Sequence, residues 1–260
     1  IADANFGMLE RDVAVSQKIA DLKKAHGYPN TVGLNFAKNQ VKYLRDIIRI
    51  MAEAGILTEA KISLQSTDAA TLEAIDRSNI KLEKYNELAT EFRRARLPMG
   101  AELMFGLPGS TPAAFRNDLQ DCTHRDVRVK AHLTVLLPNS PMNEPGYRKK
   151  HGIIAKAGEV VRECSTYSRD EWDEMMQLRN AYYLLDTYGI VRYLARFVRQ
   201  ETGVREIEFY DRLQLEALRH PREWPVIADV LKTLDGFMAP PGSWSFLIAE
   251  AKRFLMVRMD

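Results

Sequence analysis

Gly100-Ala101-Glu102-Leu103-Met104-Phe105-Gly106-Leu107-Pro108-Gly109-Ser110-Thr111-Pro112 reads as a strand, a glycine turn and a helix start. Residues 100–105 are short and apolar, and Ser110-Thr111-Pro112 sets capping hydroxyls before a first-turn proline. The same unit recurs on both sides. Upstream, Ile1 to Gly7 is a short apolar segment, and Met8 to Lys24 places Leu9, Val13, Ser16, Ile19, Ala20 and Leu22 at helical spacing until Gly27 and Pro29 stop it. Thr31 to Phe36 is a second strand, and Val41, Leu44, Ile47, Ile48 and Met51 mark a helix that ends at Gly55. Ala60 to Gln65 is a third strand, with helices over Ala69 to Asp76 and Lys84 to Arg96. Downstream, Val127 to Leu137 gives a fifth strand, ended by Pro138-Asn139-Ser140-Pro141. Alternating strands and helices predict an α/β fold with a parallel sheet and right-handed crossovers. Local pattern leaves a doubly wound sheet and a piece of a barrel both open.

Residues 142–168 show no clear period and read as a linker or excursion, and residues 169–260 read as a mainly helical C-terminal region. Its apolar series runs through Trp172, Met175, Leu178, Tyr182, Leu185 and Val198, and Trp244 to Val257 closes it. The 260 residues are 46% hydrophobic and 28% charged, as expected of a chain with a real core. Lys and Arg number 37 against 35 Asp and Glu, so there is no basic excess and no nucleic-acid partner is expected. Two cysteines, Cys122 and Cys164, can form neither a disulfide framework nor, alone, an iron–sulfur or zinc site. No apolar run approaches the roughly 18 residues of a membrane span, so a soluble cytoplasmic protein is expected. The first residue is Ile and a strand begins at once, which suggests a fragment of a longer chain.

In either parallel architecture ligands gather at the carboxyl ends of strands. Those ends are Asp3 to Gly7, Ala37 to Asn39, Gln65 to Asp68, Gly106 to Thr111 and Leu137 to Pro141. Gly106 and Gly109 let backbone approach a ligand and expose amide donors, or simply make a tight turn. Gln65 and Ser66 suit a ribose or carboxylate, though helix capping explains Ser66 equally well. Asp3 and Asn5 share a face, Arg77 can meet a carboxylate, and Lys38 can pair with an anion. The five histidines show no metal spacing and read as structural or solvated.

The successive strand ends Asp3-Ala4-Asn5-Phe6-Gly7, Ser63-Leu64-Gln65-Ser66-Thr67-Asp68 with Arg77-Ser78-Asn79-Ile80, Gly106-Leu107-Pro108-Gly109-Ser110-Thr111 and Leu137-Pro138-Asn139-Ser140-Pro141 resemble those of radical S-adenosylmethionine (SAM) enzymes. The resemblance is to the branch with an N-terminal cobalamin-binding domain, and it covers roughly residues 1–155. It implies a partial (β/α)6 TIM-like barrel over residues 1–141, holding the second to sixth strands. In that family a Cx3CxxC loop after the first strand ligates a 4Fe-4S cluster. This chain has no such motif, so the first strand, the cluster loop and any cobalamin domain are expected upstream of Ile1.

Carried over by position, the resemblance puts Asp3 and Asn5 near the methionine amino group or the cluster. It sets Ser63, Gln65 and Ser66 against the ribose or carboxylate, Arg77 against the carboxylate, and Lys38 as a weaker cofactor contact. Glu102 to Gly106 and Leu136 to Asn139, with Pro138 between, would bracket the adenine. The implied activity is reductive cleavage of SAM, with cobalamin-dependent methyl transfer or related radical chemistry on a small-molecule substrate. An electron donor and the upstream cobalamin domain are the implied partners. The rival reading is a degenerate barrel that binds a nucleotide-like ligand or a partner without redox chemistry.

Overall fold

The computed structural model describes residues 1, 3, 5–36, 42–78, 82–189, 191–233 and 244–258. Three parallel strands form its sheet: β1 (Ala60–Gln65), β2 (Met99–Phe105) and β3 (Arg128–Leu133), in that order. Helices α1 (Glu10–His26) and α2 (Leu44–Glu53) precede β1, α3 (Ala69–Ala74) and α4 (Leu82–Arg94) connect β1 to β2, and α5 (Pro112–His124) connects β2 to β3. The expected strands at residues 1–7 and 31–36 form no ladder among the described residues. They pair only at single parallel bridges, Phe6 with Phe36 and Thr31 with Leu57. Leu34 and Phe36 nevertheless alternate inward like strand residues, so burial rather than hydrogen bonding gave them their strand-like pattern. Wherever described segments pair in parallel, spatial order follows chain order, without the reversal that marks a doubly wound sheet.

One face of the sheet is buried and the other is not. Ala60, Ile62 and Leu64, then Ala101, Leu103 and Phe105, then Val129 and Ala131 pack into the core. The alternate positions, Lys61, Ser63, Glu102, Met104, Lys130 and His132, stay half-buried or exposed. Phe105 ties the sheet to the helices, with ring centroids 5.1 Å from Phe115 on α5 and 5.2 Å from Trp172.

The fifth predicted strand stops at Leu133, four residues short of expectation. Beyond it Val135 bridges antiparallel to Val160, and Val161 N–H donates to Thr134 O at 2.9 Å. The chain turns because 153–161 competes for these backbone groups. Residues 142–168 therefore include a short helix, α6 (Pro145–His151), and a return segment with Ile153, Val161, Cys164 and Tyr167 buried. A seven-residue helix is too short to show a period.

The C-terminal helices are α7 (Arg169–Tyr182), a π-helical turn Tyr183–Thr187, α8 (Arg192–Thr202), α9 (Glu206–Arg219), α10 (Pro225–Thr233) and α11 (Trp244–Arg258). Ser168 caps α7 in a reciprocal box with Glu171. The π-turn lies along β3 and satisfies its open edge. Tyr183 Oη accepts from Ala131 N–H at 2.6 Å, Arg179 Nε donates to Ala131 O at 2.8 Å, and Thr187 Oγ1 donates to Val129 O at 3.3 Å. An unpaired strand edge is thus closed by side chains. The helices share one core with the sheet, through Trp172, Leu178, Tyr182, Tyr210, Trp224 and Phe254.

Cys122 on α5 is fully buried, and burial together with nearby Asp118 pushes its thiol up to about 12. A thiol needs its thiolate to react. In the native protein at pH 8, Cys122 is expected to stay unmodified by a disulfide-exchange reagent and to react fully in urea. Rapid native modification at Cys122, mapped by mass spectrometry, would contradict this packing.

Candidate functional site

The sheet's open face carries a polar row across all three strands. Ser63 Oγ on β1 donates to Glu102 Oε2 on β2 at 2.8 Å, and Glu102 Oε1 lies 3.6 Å from His132 Nε2 on β3. Sequence reasoning set His132 aside with the other histidines. The signal was Arg128, Lys130 and His132 at alternate positions, which marks one face of this strand as polar.

At the end of β1 the pairing slips, with Ser63 opposite Glu102 but Gln65 opposite Leu103. Gln65 adopts φ 67°, a left-handed conformation that non-glycine residues rarely take. Its side-chain amide is half-buried and makes no hydrogen bond among the described residues. Such strain collects at functional sites. Arg77 Nη2 donates to Ser63 O at 2.6 Å, holding the strand end from outside, and burial lowers its pKa. Ser63, Gln65, Arg77 and Glu102 are therefore brought together.

Ser66 is turned elsewhere. Its hydroxyl is buried and donates to Asp118 Oδ2 at 2.7 Å, while Asp118 Oδ1 accepts from Thr67 N–H at 2.7 Å and Thr67 Oγ1 at 2.6 Å. Burial raises the Asp118 pKa, opposed by these bonds from Thr67 and Ser66. Asp68 caps α3 by accepting from Thr71 N–H at 2.8 Å. Asp118 holds the β1 turn from 51 and 52 residues away, a link that no local pattern reveals.

The next strand end is equally closely built. Gly106 has φ 79°, its carbonyl accepts from Tyr167 Oη at 2.7 Å, and a Cβ there would lie 3.0 Å from Trp172 Nε1. Gly109 has φ 87°, and a Cβ there would lie 2.5 Å from Ala74 Cβ. Leu136 is buried, whereas Pro138 and Asn139 are exposed, with Asn143 Nδ2 donating to Pro138 O at 2.9 Å. Asp3 accepts from Asn5 N–H at 2.8 Å in a local turn. No hydrogen bond among the described residues joins Asp3, Asn5, Leu136, Pro138 or Asn139 to the Ser63 and Glu102 row. Lys38 lies outside the described residues.

The donor set does not suit an iron–sulfur cluster. Both thiols are buried on separate elements, and the described residues gather no group of three His, Cys, Asp or Glu side chains. No helix among them is long and apolar enough to cross a membrane.

The polar row crosses the open face of a parallel α/β sheet, and sequence relatives say what this chain is similar to. The chain is homologous to cobalamin-dependent radical SAM methyltransferases. It is 33% identical over 235 residues to the 2-(S-pantetheinyl)-carbapenam-3-carboxylate methyltransferase of Streptantibioticus cattleyicolor, and 34% identical over 235 residues to the cobalamin-dependent radical SAM methyltransferase TokK of Streptomyces tokunonensis. Each match covers 82% of this chain and 34% of the relative, so the match spans about a third of the curated relatives' length. A solved structure of the radical SAM methyltransferase TsrM from Kitasatospora setae, with tryptophan and a SAM analogue bound, aligns with TM-score 0.43 and 17% identity over 54% of this chain and 28% of its own. No family profile matches the chain.

Proposed function

We propose that this chain is the carboxyl-side part of a radical SAM methyltransferase core, a partial (β/α)6 barrel with its helical C-terminal region. The relatives support the activity, and the strictly sequential order of parallel segments supports the barrel. The 4Fe-4S cluster and cobalamin would be held by parts of the protein outside these residues, since two buried thiols cannot ligate the cluster. An electron donor and a small-molecule methyl acceptor complete the reading.

SAM would bind across the end of β1, and the observation that carries this is Gln65. A strained backbone with an uncommitted amide, beside a Ser63 and Glu102 pair fixed at 2.8 Å, presents donors and an acceptor to a ribose or an amino-acid end. Arg77 fixes the strand end by its bond to Ser63 O, and Ser66 and Asp118 brace the turn beneath. Asp3, Asn5, Lys38, Leu136, Pro138 and Asn139 remain assigned to the cofactor by resemblance. When bound, the cluster and cobalamin supply the electron and the methyl relay. This chain's residues bind and orient SAM and keep water from it.

The test uses the full-length gene product, reconstituted anaerobically and supplied with SAM and reductant. 5′-Deoxyadenosine or S-adenosylhomocysteine is expected by mass spectrometry. Gln65→Ala should raise the SAM requirement about tenfold, the loss of roughly one hydrogen bond. An unchanged KM for SAM would remove Gln65 from the site. Failure of the full-length product to assemble any cluster would favour the non-redox binding fold.

A further inference from the structure

Arg179 on α7 is only 8% exposed, yet no carboxylate pairs with it among the described residues. Three partly buried arginines have one, Arg116 at 2.6 Å from Asp211, Arg192 at 3.1 Å from Asp186 and Arg199 at 2.9 Å from Glu206, whereas Arg148 bonds the Ala155 carbonyl. The Arg179 guanidinium donates Nε to Ala131 O at 2.8 Å and Nη1 to Asn180 Oδ1 at 3.1 Å, and sits 4.8 Å from the Tyr183 ring centroid. Tyr183 hydrogen-bonds it as well, so every partner of the guanidinium among the described residues is neutral. Buried charges are normally paired, and a guanidinium edge is shaped for a carboxylate or phosphate fork.

That edge lines a cleft of about 750 Å³ between α7 with its π-turn and the open face of β2 and β3. Lys61, Arg128, Lys130 and His132 line it as well. The acidic groups are Glu59, just before β1, and Glu102, already committed to Ser63 and His132. Cationic side chains therefore outnumber carboxylates, and the volume is that of a small-molecule site. Ala131 pairs with Leu103, which pairs with Gln65, so Arg179, on the outer edge of β3, lies level with Gln65 about three strand spacings away, or roughly 14 Å.

We infer that this cleft takes a carboxylate-bearing small molecule, with its carboxylate received by the Arg179 guanidinium, which meets no acidic group among the described residues. Taking that molecule to be the methyl acceptor rests on the radical SAM reading. The carboxylate site itself does not.

The test is calorimetric titration of the full-length holoenzyme, without SAM or reductant, using benzoate and its neutral isostere benzamide. Saturable millimolar benzoate binding is expected, with benzamide at least about tenfold weaker. Arg179→Gln should weaken benzoate about tenfold to a hundredfold, Arg179→Lys should fall between, and Lys150→Gln on α6 should bind like wild type. If Arg179→Gln fails to fold, Arg179→Lys decides. Absent benzoate binding, equal benzamide binding, or a folded Arg179 variant with unchanged affinity would overturn the site. An acidic side chain filling the cleft from elsewhere in the protein would give the first of these. Benzoate binding in an enzyme that never cleaves SAM would leave the site standing and refute the methyltransferase reading.

Discussion

Asp118→Ala lowers folding stability by about 4 kcal/mol, read as a reduced urea midpoint at unchanged m-value. Asp118 is 2% exposed and takes bonds from Ser66 Oγ, Thr67 N–H and Thr67 Oγ1. Alanine leaves those three donors facing a cavity, and unmet buried donors cost more than a single hydrogen bond contributes. The sign of its pH dependence follows from the raised pKa. The unfolded aspartate ionises near 3.8, below the folded one, so the contribution of Asp118 is fully present below that value and declines as pH rises through the folded pKa. The gap between wild type and variant should therefore be wider in acid than at neutrality. A variant within about 1 kcal/mol of wild type would mean that the turn after β1 is held by something else.

Gly109→Ala is expected to cost about 3 kcal/mol, from two sources. The left-handed backbone at φ 87° disfavours any Cβ, and that Cβ would stand 2.5 Å from Ala74 Cβ and 3.3 Å from Ala70 O. Neither neighbour is the end of a flexible chain, so α3 or the 107–110 loop must shift. Gly158→Ala is the control, because it shares a positive φ of 84° but has open space around it. It should lose only the backbone part, about 1 kcal/mol. Equal thermal shifts for the two variants would show that the contact with Ala74 yields freely.

α1 was legible because its apolar spacing is long and its stop is a left-handed glycine, Gly27, whereas residues 169–260 were legible only as helical and not in their division into α7 to α11. Strands β1 and β2 were legible from short apolar runs that end in turn residues. Residues 31–36 looked the same, but a strand exists only if its neighbour offers continuous pairing, and Thr31 and Phe36 reach different partners. The end of β3 was hidden for a similar reason, since Val160 and Val161 lie beyond any local window. Of the candidate site, Gln65 was readable as a strand-end polar residue and Arg77 as a nearby cation, while Ser63 and Glu102 came only through the family resemblance. Asp118 and His132 were not, because each acquires its role only when distant chain segments pair.

Tyr183 hydrogen-bonds the Ala131 peptide on both sides, its oxygen accepting from N–H and its hydroxyl reaching C=O at 3.3 Å. An amide held by a side chain rather than by a neighbouring strand can exchange its proton only when that side chain leaves. Exchange at the Ala131 amide is consequently expected to wait on the lifting of the π-turn, which couples the last strand to the C-terminal helices.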